Sequence, residues 1–505
     1  MPHKLPLALV PPTDGSSWSP PLDVLDVAVR LETAGVTDAV ARSDYWFKST
    51  WDMASSYFPN LERLHGSAVP EEARPQPWRE YLKGISFALP LVLCCLSMLA
   101  LKFSLWGGDV SEDLAAALGL GIVSSFVVTG GFVQAMARRG LFYSGVSQQE
   151  MCRICCWRWL RLGLLGLTLA GLGLLAASLY FRWFHAPLDS IALVFHFALG
   201  SLWLTSGILY MFERNWLVVA AALLGIGCVA LLHLGFHLSL LTAQVLGILS
   251  AAAFCFLASW TLLRRASGED AEAPQPQSLA RDLYYAWPHF LYGGAYFLFL
   301  FADRLLAWTA ANYGAPLSLR FRGDYETALD IALFAFILQV GWVRASVSDF
   351  FATVPLNQRS SRLGDGSLFN RGSLRIYARE LVRFLPIALI SSLVVYKTAD
   401  WFGLFLTQAT RTTTLWSLAG YPFLVIGLWN ASLLFRLSRP TALLPAIAAA
   451  LLADLAFGYA MSRIVSYQMA VFGFTVGSVL FGSISSLQVI RRLESLDYYY
   501  FSSAV

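Results

Sequence analysis

The chain has 505 residues, of which 57% are hydrophobic and 13% charged, with a formal net charge of +4 and a mean hydropathy of +0.58. Soluble domains carry roughly 25% charged residues and about 45–50% apolar ones. The composition therefore excludes an ordinary water-soluble fold and fits a chain whose outer surface meets a lipid bilayer. So small a net charge gives no reason to expect nucleic acid as a partner.

Residues 1–80 read as a cytosolic N-terminal extension. Met1 to Pro21 is rich in Pro and Ser and lacks the apolar core of a signal peptide. Beyond it Leu22, Leu25, Val29, Val36 and Val40 recur at near-helical spacing. That pattern predicts one or two short amphipathic helices, which either dock on the membrane domain or bind a partner.

After Pro77 come apolar runs at 83–106, 114–136, 160–182, 190–211, 215–236, 240–263, 285–308, 327–348, 380–397, 416–437, 441–462 and 467–489. Each approaches the ~20 residues that cross about 30 Å of hydrocarbon as a helix. They are too long and unalternating for barrel strands. With both termini cytosolic, the inside connections hold arginines such as Arg138, Arg139, Arg153, Arg158, Arg264, Arg265, Arg371, Arg375, Arg436, Arg439, Arg491 and Arg492. The outside connections and helix ends hold far fewer cations, as short cytosolic loops require. This predicts an all-α polytopic protein of about twelve transmembrane helices.

The polar, Pro- and Gln-rich stretch around 268–281 divides it. A first six-helix bundle falls at 81–266, a cytosolic linker at 267–282, a second bundle at 283–492 and a cytosolic tail at 493–505. The halves share a weak repeat. Gly131-Phe-Val-Gln-Ala135 in span two matches Gly341-Trp-Val-Arg-Ala345 in span eight, and both spans lead into long basic loops. Those loops close with Arg153-Ile154 … Arg161 and Arg375-Ile376 … Arg383 at the same spacing. Such repeats are a hallmark of transporters.

No P-loop, D-x-D, G-x-S-x-G or H-E-x-x-H motif occurs, so the chain shows no sign of being an enzyme. His185 and Asp189 stand one residue short of the usual acyltransferase spacing. Cys152, Cys155 and Cys156 form C-x-x-C-C in a basic loop. Either they are half of a metal site or they are reduced thiols; no second ligand pair lies nearby, so no metal is expected. His196 and the His233/His237 pair lack partner histidines at matching depth for haem, so no cofactor is expected either.

Ionisable residues inside spans are the better candidates for function, because a charge at the bilayer centre costs ~2.5–3.5 kcal/mol on insertion scales. Asp454 sits mid-span in ALLADLAFGYA, where it either couples an ion or hydrogen-bonds structurally. Asp303 and Arg304 are adjacent in the outer part of span seven. Neighbours on a helix point about 100° apart, so at least one of them needs a partner on another helix. Asp330 opens span eight and Arg344 lies toward its inner end, with Gln134 as the repeat equivalent of Arg344. An arginine at that depth either meets an anionic phosphate or sugar-acid group or snorkels to headgroups. Glu213 and Arg214 read as a short solvated turn. Pro90 and Pro288, the latter followed by Gly293-Gly294, occupy corresponding places in the two halves, as kinks do in helices that bend.

Twelve helices in two parallel halves, with the segments FLYGGAYFLFLFADRLLAWTA (290–310) and TGGFVQAMARRGLFY (129–143), resemble the MOP flippase superfamily (multidrug/oligosaccharidyl-lipid/polysaccharide). Within it the chain is most similar to the Pel exopolysaccharide transporter family (PelG). It departs from that family in its long N-terminal extension and in lacking a glycine-rich signature before span one. The resemblance implies a MATE-like fold in the bacterial inner membrane, export of a polysaccharide or lipid-linked saccharide, and partner subunits of a synthase complex. The other reading is a non-transporting scaffold for such a complex.

Overall fold

The computed structural model describes residues 24–64, 76–100, 111–266, 278–310, 319–360 and 366–503. The chain divides into two compact units, one of 1–76 with 351–365 and one of 77–350 with 366–505.

In the first unit α1 Val24–Thr33 and α2 Asp38–Asp44 form within the stretch whose periodicity predicts one or two helices, and α3 Thr50–Leu64 follows them. Val27, Leu31, Ala41, Met53 and Ala54 are fully buried between them, so this unit has a core of its own. Gly35, at φ +87°, reverses the chain after α1, and the Val36 amide then donates to the Leu31 carbonyl at 2.9 Å. Asp38 ties α2 to α3 by accepting the Thr50 backbone N–H at 2.7 Å. The backbone and side-chain hydrogen bonds from Thr50 hold the Asp38 carboxyl below the usual carboxylate range. A depressed carboxyl stabilises the fold above its unfolded-state pKa, and that contribution is lost as pH falls through the folded-state value. Amide exchange at Thr50 is therefore expected to accelerate on acidification below about pH 4 and to be fast at all pH values in Asp38→Asn.

In the second unit, twelve helices are long and apolar enough to cross a membrane. Six are α4 Pro77–Ala100, α5 Glu112–Gly145, α6 Gln149–Phe181, α7 Ala186–Met211, α8 Asn215–Ala230 (continued by a π turn to Gly235) and α9 Leu240–Ala266. The next four are α10 Leu279–Trp308, α11 Gly323–Ser360, α12 Gly366–Trp401 and α13 Gln408–Arg436. The eleventh span, Pro440–Ile464, comprises α14 Leu444–Ala453, a π turn at Asp454–Gly458 and α15 Tyr459–Ile464. The twelfth is led by α16 Ala470–Leu493, and α17 Leu496–Ser503 follows it.

The structure corrects the sequence reading at the basic loops. α5 and α6 run to 34 and 33 residues, and α11 and α12 to 38 and 36. Helices of that length outreach the hydrocarbon, so the arginines stand on helical hairpins that project beyond it. The cysteine motif thus lies on α6, with Cys152, Cys155 and Cys156 buried as free thiols among Met136, Met151, Trp159 and Met211. The supposed tail is helical as well. Asp497 on α17 exchanges hydrogen bonds with Asn370 at 3.0 and 3.1 Å.

The repeat residues share one structural role. Gly131 of α5 packs on the Phe290 backbone of α10, while Gly341 of α11 packs on Gly84, Tyr81 and Ile85 of α4. The second helix of each bundle thus seats the first helix of the other. Both crossings rely on glycine, because small residues let membrane helices approach closely. A Cβ at Gly293 would strike the Gly130 carbonyl and come 2.8 Å from Gln134 Cγ. Gly293→Val is expected to destabilise the folded protein by about 1–3 kcal/mol, read as a lower melting temperature in detergent.

Candidate functional site

Span seven carries the site's first layer. Adjacent Asp303 and Arg304 diverge around α10, and each finds its partner one helix away on α11. The Tyr325 hydroxyl donates to Asp303 Oδ2 at 2.6 Å. Arg304 forms an ion pair with Glu326, whose other oxygen accepts the Trp308 indole N–H at 3.0 Å. These pairings join residues 22 and 18 positions apart. They set the end of α10 beside the start of α11. α11 begins at Gly323, so Asp330 lies two turns inside it rather than opening it. It shares a face with Glu326 four residues earlier. Asp330 is half-buried and lies within electrostatic reach of Arg304, as does Tyr421 of α13.

Asp454 starts the π turn of span eleven. It is fully buried, and neither carboxylate oxygen has a partner among the described residues. Asp303 is its electrostatic neighbour, and Asp303 Oδ1 is likewise buried without a partner. π turns interrupt the regular helical ladder and recur at functional sites. Here the turn is packed against Gly473, where a Cβ would meet the Asp454 carbonyl at 2.5 Å. Asp303 is therefore the link between two neighbourhoods, with Asp454 on one side and the Arg304–Glu326 pair, with Asp330 near it, on the other. Among the described residues, no group of three or more His, Cys, Asp or Glu side chains could hold a metal ion.

An aromatic wall faces the first bundle from the same helix. Phe297 and Phe301 of α10 stack on Phe126 of α5 at ring-centroid distances of 5.7 and 5.9 Å. Trp203 of α7 meets Phe126 edge-on at 5.3 Å. Arg304 lies over Phe301 at 5.4 Å, so wall and charged cluster adjoin. Cys95 of α4 lies within electrostatic reach of both Arg304 and Asp330, which brings the first bundle's opening helix to the cluster.

Arg344 and Gln134 are placed elsewhere. Arg344 is beside Gly84, and Gln134 beside Gly293, each at its bundle crossing on the way to the arginine-rich end. Arg344 bridges Glu80 of α4 at 3.1 Å and Glu213 at 2.9 Å. Glu213 lies in the short solvated turn read from the sequence, in a left-handed conformation at φ +56°, and from there forms half of an ion pair between bundles. A second cluster missing from the sequence reading lies at the same end. Asp282 of α10 is 2% exposed and takes Arg139 of α5 at 2.8 Å and Arg158 of α6 at 2.6 Å. The Tyr143 hydroxyl donates to Arg139's partner carboxylate at 3.4 Å. Two of the histidines are hydrogen-bonded within the bundle or its turn: His196 bonds Ser124 Oγ at 2.8 Å and the Leu167 carbonyl at 3.0 Å, and His233 bonds the Leu238 carbonyl at 2.8 Å.

No protein-family model matches the chain, and no curated protein matches its sequence. Solved structures do match its fold. A point mutant of the Vibrio cholerae MATE transporter VcmN superposes with a TM-score of 0.60 at 14% identity, over 84% of this chain and 99% of the other. A MOP-superfamily transporter from Pyrococcus furiosus gives 0.55 at 15% identity, over 83% and 97%. A MATE transporter in a bent conformation gives 0.55 at 15%, over 86% and 98%. The chain is thus an all-α polytopic membrane protein, with twelve candidate membrane-spanning helices in the two-bundle fold of MATE transporters. At these identities the likeness supports the MOP-superfamily fold rather than the Pel family in particular.

Proposed function

We propose that this protein is a membrane transporter that exports a polysaccharide, or flips a lipid-linked saccharide, across the bacterial inner membrane by alternating access. Both termini are cytosolic in this reading, which the arginine-rich end supports. The observation that carries it is Asp454: a fully buried carboxyl with no partner among the described residues, on an interrupted helix, with a second carboxyl, Asp303, as its electrostatic neighbour. Such a group inside a membrane is a functional site by default, and a carboxyl pair short of cations is a place for a coupling cation, a proton included. Arg304, Glu326 and Asp330 supply polar contacts, and Phe126, Trp203, Phe297 and Phe301 supply flat apolar faces. Sugars, which pair hydroxyl rims with apolar C–H faces, suit that combination. The relative from Pyrococcus furiosus is described as having a binding pocket of reversed polarity and a different function, so one MOP fold accommodates more than one substrate chemistry.

The test is flux in reconstituted vesicles. A fluorescent lipid-linked oligosaccharide is expected to cross faster under an imposed proton or sodium gradient. Asp303→Asn is expected to remove the gradient's effect, a loss of about tenfold or more in driven flux. Gradient-independent flux equal in mutant and wild type would remove the coupling role.

The N-terminal unit favours an added role as scaffold. Its own core and its exposed Trp46 and Trp51 suit binding to a synthase subunit. Deleting residues 1–76 is expected to abolish co-purification of such a subunit while leaving vesicle flux intact. Loss of assembly with all site mutants silent would favour the scaffold alone.

A further inference from the structure

Between the bundles at the arginine-rich end lies a cavity of about 560 Å³, bounded by α4, the turn before α8, α11 and α13. Small-ligand sites measure about 300–1,000 Å³. Lys83, Arg344 and Arg436 line it from three helices, together with Glu80 and Glu213 and the hydroxyls of Ser348 and Ser432. Its two carboxylates are held unequally. Glu80 is 12% exposed and bound from two sides, by Lys83 at 2.5 Å and Arg344 at 3.1 Å. Glu213 is 63% exposed, is bridged among the described residues by Arg344 alone, at 2.9 Å, and sits on a left-handed backbone that a non-glycine residue adopts at a cost. Its ion pair is solvent-screened and therefore weak.

We infer that this cavity is a binding site for a phosphoryl group, and that Glu213 is a built-in competitor which the ligand displaces from Arg344. With Glu213 swung into solvent, Lys83, Arg344 and Arg436 line the cavity beside the single carboxylate of Glu80, a cationic lining that suits a phosphate monoester or diphosphate. The guanidinium of Arg344, whose Nε holds Glu80, then offers the phosphate the Nη2 donor it had offered Glu213. Because Glu213 and Arg344 belong to different bundles, the ligand also breaks an ionic contact between bundles at the end where it binds. This extends the proposal made above for transport to a docking step. It is tested by binding alone, so a flux failure with binding intact counts against transport and not against the site.

Full-length protein in zwitterionic-lipid nanodiscs is titrated calorimetrically with inorganic pyrophosphate and, separately, with a short-chain phosphatidic acid. At least one is expected to bind. Glu213→Gln is expected to tighten binding about tenfold by removing the competitor, whereas Arg344→Gln is expected to abolish it. Arg436→Gln, outside the Glu80–Arg344–Glu213 bridge, is expected to weaken binding and serves should Arg344→Gln fail to fold. Pyrophosphate binding assigns a water-soluble phosphoryl ligand, and binding of phosphatidic acid alone assigns a lipid headgroup. Binding of neither, or affinity unchanged in Glu213→Gln, overturns the proposal.

Discussion

Asp454→Asn is expected to lower driven flux by at least about tenfold while leaving expression intact, and Asp454→Leu is expected to do the same while raising the melting temperature. The two readouts separate because the two roles make opposite demands. A charge at this depth costs ~2.5–3.5 kcal/mol on insertion scales, and the structure gives Asp454 no partner to offset it. A purely structural aspartate would lose bonds on substitution and destabilise the fold. Here there are none to lose among the described residues, so removing the carboxyl stabilises the protein and disables the site. A fall in melting temperature on Asp454→Leu, with flux retained, would return the residue to a structural role. Glycine at 473 bears on the same point. The π turn at 454–458 fits only because that neighbour has no side chain, so Gly473→Ala is expected to disturb flux through the same carboxyl.

Asp282→Ala is expected to destabilise the protein by about 3–5 kcal/mol, the cost of removing one member of a buried ion pair. Arg139 is almost as buried as its partner, with side-chain exposures of 7% and 2%, and loses its carboxylate outright. Arg158 is 24% exposed, so Arg158→Gln is expected to cost only about 1 kcal/mol. Thermal unfolding in detergent separates the two. Equal, small effects would show that the cluster is wet and unimportant. The location matters as much as the magnitude: Asp282 opens the second bundle, and both arginines belong to the first.

Much of this architecture was legible in the sequence, because membrane spans announce themselves by length and apolarity. Each of the twelve predicted runs overlaps one of the twelve spans, although 101–106 of the first run lie outside the described residues and the eleventh run is broken by a π turn. The Gly131/Gly341 repeat foretold two crossings built alike. The sequence requires a partner on another helix for at least one of Asp303 and Arg304, and Tyr325 and Glu326 supply one to each. Those partners went unnamed although Glu326 stands one helical turn before Asp330, a spacing visible in the sequence. The helical nature of the basic hairpins was missed because a hydropathy criterion ends each span at its first arginine, whereas a helix continues as long as its backbone bonds are satisfied. The Arg344–Glu80 and Arg139–Asp282 contacts join residues 264 and 143 positions apart. No local pattern encodes pairings that exist only once the two bundles have met.

The two crossings between bundles are alike in kind and unlike in extent. Along α5 and α10 the seam runs from Gly119 against Trp308, through Gly130 and Gly293, to Arg139 and Asp282, a length of roughly 30 Å at helical rise. Between α4 and α11 contact gathers near Gly84 and Gly341, with the Tyr81 hydroxyl donating to the Leu338 carbonyl at 2.7 Å and Arg344 alongside. One seam has the build of a book's spine and the other of its clasp. Among the described residues, a rocking motion that keeps the spine shut releases the Tyr81–Leu338 bond, the Gly84–Gly341 contact and the Arg344 bridges. The effort of opening is thereby concentrated on a few named side chains instead of being spread over the whole face between the halves.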